Sequence, residues 1–368
     1  MNMVESGSTT VQHSLSDFLG VGHDSTSIEE IPEHFIQFCW RSIEKKRGGI
    51  LYPNPDCTQQ FTPPEPEDDI LDLGTVNRNE IIEITPLPST RPVAAIDTST
   101  IRLGDLADGS LCALRGAIVI REGKQYRYIR YGPLVFSLGN YPNLDEISKL
   151  GVTTLSGAPN VDFLLRRVRN SLERWLQLSV SSSVTGGLIL FDGSLTTGRP
   201  DNPSNAMERI LQRARDSENV VFAISKNTQL RIDDQALTSI LEDKPEPCLV
   251  NVDEKIKSQF PTYPMQFLGR IYVGRLARRG FPFRIDVDRK VSEESGIFGL
   301  RQLAGTDIVD QGYPETLRIA HILSTFTAGD VLAIQSLAAA RFGVQLVPRL
   351  ALRRSLFGPF GTGWETRH

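Results

Sequence analysis

The chain has 368 residues, 40% of them hydrophobic and 23% charged, with a formal net charge of -4. That length and balance fit a globular protein of one large domain or two modest ones, and the charge gives no overall pull toward nucleic acid or anionic lipid, so any such site must be local. Four cysteines, Cys39, Cys57, Cys112 and Cys248, lack CxxC spacing, which argues against a zinc ribbon or disulfide framework and suits a reducing cytoplasm. With no charged-then-apolar leader and no apolar run near ~18 residues, the expectation is a soluble, cytoplasmic protein without a membrane segment.

In chain order, residues 1–24 are rich in Ser, Thr and Gly and read as a loose end. A helix is expected from Ser27 to Arg47, with Phe35, Phe38, Cys39 and Ile43 as its apolar side and Gly48-Gly49 as its stop. Residues 52–69, with five prolines and a closing acidic cluster, read as a linker or extended wrap. RPVAAID (91–97) predicts a short strand ending at Asp97. LCALRGAIVIRE and KQYRYIRYGPLVFSL predict two strands joined by a Glu122-Gly123-Lys124 hairpin turn. A helix over 161–179 follows, with Leu165, Val168, Leu172 and Leu176 as its stripe. Then come the strand LILFD, a helix over 205–216 and the strand NVVFAISK (219–226). A helix between successive strands makes those strands parallel neighbours, so the fold class is α/β, a mixed sheet flanked by helices.

The segment GGLILFDGSLTTG (186–198) delivers Asp192 where a buried strand surfaces. Asp97 and Asp192 should both emerge on the ligand-binding edge of such a sheet. Glu173, about 100° from the centre of the leucine stripe, lies at the border of the buried face of its helix. Three acids gathered together repel unless a divalent cation neutralises them, and oxygen ligands suit Mg²⁺ or Mn²⁺, two of which can support phosphodiester cleavage. Plainer roles stand beside this one: Asp192 before Gly193-Ser194 and Asp97 before Thr98-Ser99 as turn caps, and Glu173 paired with Arg169 on the surface. A haloacid-dehalogenase-type phosphatase needs a nucleophilic aspartate two positions before Asp192. Leu190 stands there, which removes that option.

Several ordered segments resemble the NurA family of DNA-end-processing nucleases, over roughly residues 90–330. AAIDTST (94–100) is similar to the first acidic motif, with Thr98 where the family usually has Gly. LERWLQL (172–178) is similar to the segment with the helix glutamate, and LILFDGSL (188–195) to the second aspartate motif. FAISKNTQLR (222–231) resembles the strand ending in a lysine, Lys226, and GYPETLRIAHILS (312–324) the helix carrying His321. The resemblance implies an RNase H-like core, placed as a nuclease domain over 91–335; the residues on either side read as an N-terminal helical and extended extension over 1–90 and a C-terminal basic and apolar tail over 336–368. The resemblance further implies an Mn²⁺- or Mg²⁺-dependent DNA nuclease, using two ions, having single-strand endonuclease and 5′-to-3′ exonuclease activity in DNA end resection and double-strand break repair. A homodimer working with a HerA-type hexameric ATPase is implied as well. Asp97, Glu173, Asp192 and His321 would hold metal, and Lys226 would assist phosphate binding.

His321 can equally be a satisfied core histidine, and Lys226 a solvated strand-end lysine. GRIYVGRLARRGFPFR (269–284) carries Arg270, Arg275, Arg278, Arg279 and Arg284 with Tyr272, Phe281 and Phe283 interleaved, a composition suited to single-stranded DNA. The alternative is an arginine-rich hairpin paired with acids elsewhere, or a protein interface. The tail LRRSLFGPFGTGW (352–364) is expected to dock on a dimer mate or a partner. The competing functional class is an RNase H-like scaffold that grips DNA or loads an ATPase without cutting, and RNA stands as an alternative substrate.

Overall fold

The computed structural model describes residues 31–53, 71–72, 81–139, 161–198, 204–226, 228, 230–232, 235–259, 266–308 and 311–347. The expected loose end, the proline-rich segment beyond Pro53, the start of the first helix and the 352–364 tail lie outside them.

The main sheet is mixed and 11-stranded. Its strands are β1 (Ile50–Pro53), β2 (Ile81–Glu83), β3 (Val93–Leu106), β4 (Gly109–Glu122), β5 (Gln125–Gly139), β6 (Leu188–Asp192), β7 (Val220–Ser225), β8 (Cys248–Asn251), β9 (Gly269–Arg275), β10 (Pro282–Asp288) and β11 (Gln345–Leu346). The order is β11-β1-β3-β6-β7-β10-β9-β8-β2, with β4 on the other edge of β3 and β5 beyond β4. Among the described residues, the six helices of ten residues or more that flank it are α1 (Glu33–Glu44), α2 (Val161–Ser183), α3 (Ser204–Asp216), α4 (Glu293–Thr306), α5 (Glu315–Ser324) and α6 (Ala328–Phe342). The antiparallel meander β3-β4-β5, then α2, β6 parallel to β3, α3 and β7 parallel to β6, form the mixed sheet with parallel neighbours that the pattern of strands and helices predicts. The expected hairpin turn is present, with Gly123 at φ 60°, a conformation suited to glycine.

Period-two alternation decides what each face buries. Ala94, Ile96, Ile189 and Phe191 face α2 and α3, where Leu165, Val168, Leu172, Leu176, Met207 and Leu211 complete one core. Val93, Ala95, Leu188 and Leu190 face the opposite way, toward Leu300 and Leu303 of α4 and Leu317 and Ala320 of α5. Farther along β3, Ile101 and Leu103 meet Val331, Ile334, Ala338 and Phe342 of α6. α1 buries the apolar side read from its spacing, and β1 joins β3 on one edge and β11 on the other. Described parts of both chain ends therefore belong to the main sheet.

One expectation needs correction. β3 does not end at Asp97 but continues to Leu106, with Thr98, Ser99 and Thr100 paired to Gly116, Arg115 and Leu114 of β4. Threonine favours the pleated strand as much as the turn, and the long β4 supplies the partner. What does end is the neighbour on the other edge. β6 pairs residues 93–96 of β3, and β1 takes over that edge at Gly104. A notch in the sheet thus opens beside Asp97. Among the described residues, one segment is apolar enough for a membrane span by composition, Glu315–Phe342, and it is divided into α5 and α6 by residues 325–327.

Candidate metal centre

The last paired residues of the parallel strands β3 and β6 are Ile96 and Phe191, so Asp97 and Asp192 follow at the same level on neighbouring strands. By alternation both carboxylates project to the face covered by α4 and α5, two residues beyond Ala95 and Leu190. α5 then brings His321 down on them. One ligand atom from each of Asp97, Asp192 and His321 lies within 4.8 Å of the others. Their side chains are 12%, 29% and 46% exposed, so the group is walled in but reachable.

Hydrogen bonds order the cluster. Asp97 Oδ2 lies 3.0 Å from His321 Nδ1 and accepts from Ser324 Oγ at 2.6 Å. Lys226, directly after β7, donates from Nζ to Asp192 Oδ2 at 2.9 Å. Burial pushes the Asp192 carboxyl above its ordinary range; Lys226 pulls it down and Asp97 pushes it up again. The hydrogen bond to Asp97 raises the His321 imidazole above its ordinary value, and burial acts the other way.

Asp192 does not cap its own turn. The turn is held by Gly193 N–H donating to the Ile224 carbonyl at 3.1 Å, Ser225 Oγ to the Gly193 carbonyl at 2.6 Å and Leu195 N–H to Asp286 Oδ2 at 2.9 Å. Gly193 has φ 101°, which an L side chain rarely adopts, and its position leaves open space beside the carboxylate. The turn thus leaves the Asp192 carboxylate to Lys226 and the cluster.

Glu173 comes from the other side. It stands on α2, across the sheet from α5, and its carboxylate accepts from Thr98 Oγ1 at 3.2 Å and from Gln177 Nε2 at 3.3 Å. Thr98 points opposite to Asp97 because adjacent strand residues alternate. The expected single meeting point of three acids is therefore two stations on either side of β3, with Glu173 outside the 4.8 Å cluster. The spacing on α2 placed Glu173 correctly at the border of the buried face; which face of the sheet it borders was not in that spacing.

Tyr313 was missed. Its ring packs edge-on to Phe283 at 5.4 Å, and Lys226 Nζ lies 5.1 Å from its centroid. Its hydroxyl is buried with no hydrogen-bond partner among the described residues, and burial followed by the charges of Asp192 and Asp97 pushes its pKa upward. A tyrosine immediately before the Pro314 that opens the helix of His321 was the available signal. Ser324, three residues after His321, was missed as well.

The arginine-aromatic segment divides. Arg284 is buried in a fork with Asp286 at 2.7 and 2.8 Å and reaches Thr196 at 3.0 Å. Arg275 is buried on the carbonyls of Leu241 and Gly280, and Tyr272 donates to Glu293 from inside the fold. Those three hold the fold and are not available to DNA. Arg270 is half-buried in β9. Arg278, Arg279 and Phe281 face solvent at the β9–β10 turn, Phe281 being 64% exposed. Register places this turn near the cluster: β10 residue Arg284 pairs with Ser225, next to Lys226, and Phe281 N–H donates to the Gln311 carbonyl two residues before Tyr313.

The residues fit a divalent cation. Two carboxylates and an imidazole form an oxygen-rich set with one nitrogen, suited to Mn²⁺ or Mg²⁺ and poor for softer metals. The orphaned Tyr313 hydroxyl beside them is a buried polar group awaiting a partner, which native folds rarely leave unmet.

No protein-family model and no curated protein matches the chain. Its structural neighbours are NurA nuclease and endonuclease V structures. The NurA nuclease from Sulfolobus solfataricus aligns at TM-score 0.45 and 17% identity, over 72% of this chain and 88% of that one. A NurA structure with manganese aligns at 0.38 and 9%, over 71% and 91%. Endonuclease V from Bacillus subtilis aligns at 0.33 and 10%, over 72% and 89%. At these values the likeness transfers neither site nor activity, and the chemistry rests on this chain's own residues.

Proposed function

We propose that this chain is a divalent-metal-dependent nuclease that hydrolyses phosphodiester bonds in DNA. The observation that carries it is the convergence of Asp97, Asp192 and His321 within 4.8 Å at a notch in the sheet. A bound Mn²⁺ or Mg²⁺ supplies Lewis-acid polarisation of a phosphoryl oxygen and a more acidic water. Asp97, oriented by Ser324, would hold it together with Asp192 and His321. Lys226, which now neutralises Asp192, would turn its ammonium to the phosphate once a cation takes its place. The Tyr313 hydroxyl is positioned to donate to a phosphate oxygen. Arg278, Arg279 and Phe281 at the adjacent turn suit the backbone and a base of a single strand. A second ion would require Glu173 to leave Thr98 and reach through the notch.

The ordered sequence motifs support the finer parts of this proposal: single-strand endonuclease and 5′-to-3′ exonuclease action in end resection, a homodimer and a HerA-type ATPase partner; the scattered cysteines support a cytoplasmic setting. A second proposal, a non-cutting scaffold, is favoured by one observation, the Lys226–Asp192 pair that satisfies the site without a cation. Purified protein incubated with linear and single-stranded DNA and Mn²⁺ separates the two. The nuclease account requires cleavage that EDTA and Asp192→Ala both abolish; DNA binding without cleavage, with any divalent ion and with the ATPase present, establishes the scaffold.

A further inference from the structure

Arg115 lies on β4 directly opposite Ser99, two residues along β3 from Asp97. The pairing of β4 with β5 shifts register between Leu114 and Gly116, with Gly132 and Pro133 of β5 against Arg115 alone, while the pairing with β3 stays regular and leaves Arg115 on the Asp97 face of the sheet. Its side chain is 2% exposed. One guanidinium nitrogen donates to the Thr325 carbonyl at 2.9 Å and to Asp330 Oδ2 at 3.3 Å; the other donates to Asp330 Oδ1 at 2.9 Å. The guanidinium also lies over the Phe326 ring, 4.4 Å from its centroid.

Those contacts span the link between α5 and α6. Thr325 follows directly on α5, and its N–H and Oγ1 both donate to the His321 carbonyl, at 3.1 and 2.7 Å. Asp330 closes the capping box that starts α6, accepting from Thr327 N–H at 2.8 Å while Thr327 Oγ1 accepts from Asp330 N–H at 3.2 Å. The last turn of α5 carries both His321 and Ser324, the two groups bound to Asp97. A rigid, planar, bidentate cation thus fastens the end of the histidine helix to the strand beside the aspartate.

We infer that Arg115 and Asp330 form a positioning clamp that sets His321 and Ser324 against Asp97 and so completes the metal centre; this rests on the site being a metal centre. Groups that orient metal ligands typically change metal affinity about 10–100-fold when removed. The expectation is about a tenfold loss.

The test is a double-mutant cycle read by calorimetric titration of the whole chain with Mn²⁺ alone. Arg115→Met and Asp330→Asn should each weaken Mn²⁺ binding about tenfold with His321 present and less than twofold in a His321→Ala background. Unchanged affinity with His321 present overturns the clamp. So does an equal loss in both backgrounds, which would mean a general effect on the fold. If Arg115→Met does not fold, Asp330→Asn, at a side chain 28% exposed, carries the same cycle with the same outcomes. A wild-type chain that binds no Mn²⁺ overturns the metal-centre proposal itself and the clamp with it.

Discussion

Replacing Asp192 with asparagine separates a ligand from a structural aspartate by the sign of its effect on stability. Burial is the largest cost of the Asp192 charge, and the Asp97 carboxylate, with a ligand atom within 4.8 Å, adds repulsion to it. Lys226 opposes this from 2.9 Å, but the two side chains are 41% and 29% exposed, and pairs so solvated contribute only about 0.2–1 kcal/mol. The Asp192 carboxyl is accordingly raised in the fold, so its ionisation at neutral pH opposes folding. Asp192→Asn removes that charge at nearly constant volume and should stabilise the metal-free protein by on the order of 1 kcal/mol, a rise of about 1–3 °C in Tm. With Mn²⁺ at a hundred times its Kd the order reverses, because the wild type gains about 2.7 kcal/mol from binding and the variant gains little. Thermal melts in EDTA and in Mn²⁺ read both halves. A variant that melts several degrees below wild type in EDTA, yet keeps the full Mn²⁺ shift, refutes the assignment and restores the turn-cap role.

Other consequences follow from the same geometry. Tyr313→Phe deletes a buried hydroxyl without a partner, so chemical denaturation should show stability unchanged or raised by about 1 kcal/mol, while single-turnover cleavage falls at least tenfold. Arg284→Leu strands the buried Asp286 and should cost about 3–5 kcal/mol in urea unfolding. Phe281→Ala should move stability by less than about 0.5 kcal/mol and weaken single-stranded DNA binding roughly tenfold by fluorescence anisotropy. Arg115 holds the Asp330 carboxyl well below the usual carboxylate range, so this group supports folding above about pH 4 and loses that contribution as the pH falls further. Wild type should therefore exceed Asp330→Asn in urea stability at pH 7 and approach it at pH 3.

Local periodicity was enough to find most of this fold. The leucine stripe of α2, the apolar run of β6 and the turn at Gly123 each follow from neighbouring residues, and strand–helix alternation orders β3, β6 and β7. Asp192 was visible because a carboxylate after an all-buried strand is locally anomalous. What escaped depended on distant partners. Asp97 read as a strand end because Thr98 and Ser99 suit turns, and only pairing with β4 carries the strand onward. Glu173 has the right helical phase, yet phase does not say which face of the sheet its helix covers. Arg275 looked available because its carbonyl partners carry no sequence signal; Arg284 was more legible, since Asp286 lies two residues on and on the same side of the strand. Tyr313 stood in plain view before Pro314, but an unpartnered hydroxyl is a property of packing.

Mn²⁺ soaked into crystals of the protein and located by its anomalous scattering tests the central claim most directly. The account predicts a peak about 2.0–2.3 Å from a carboxylate oxygen of both Asp97 and Asp192 and from a His321 ring nitrogen, with the Lys226 ammonium displaced from Asp192. An empty cluster at saturating Mn²⁺, with Lys226 still bound to Asp192, would contradict it.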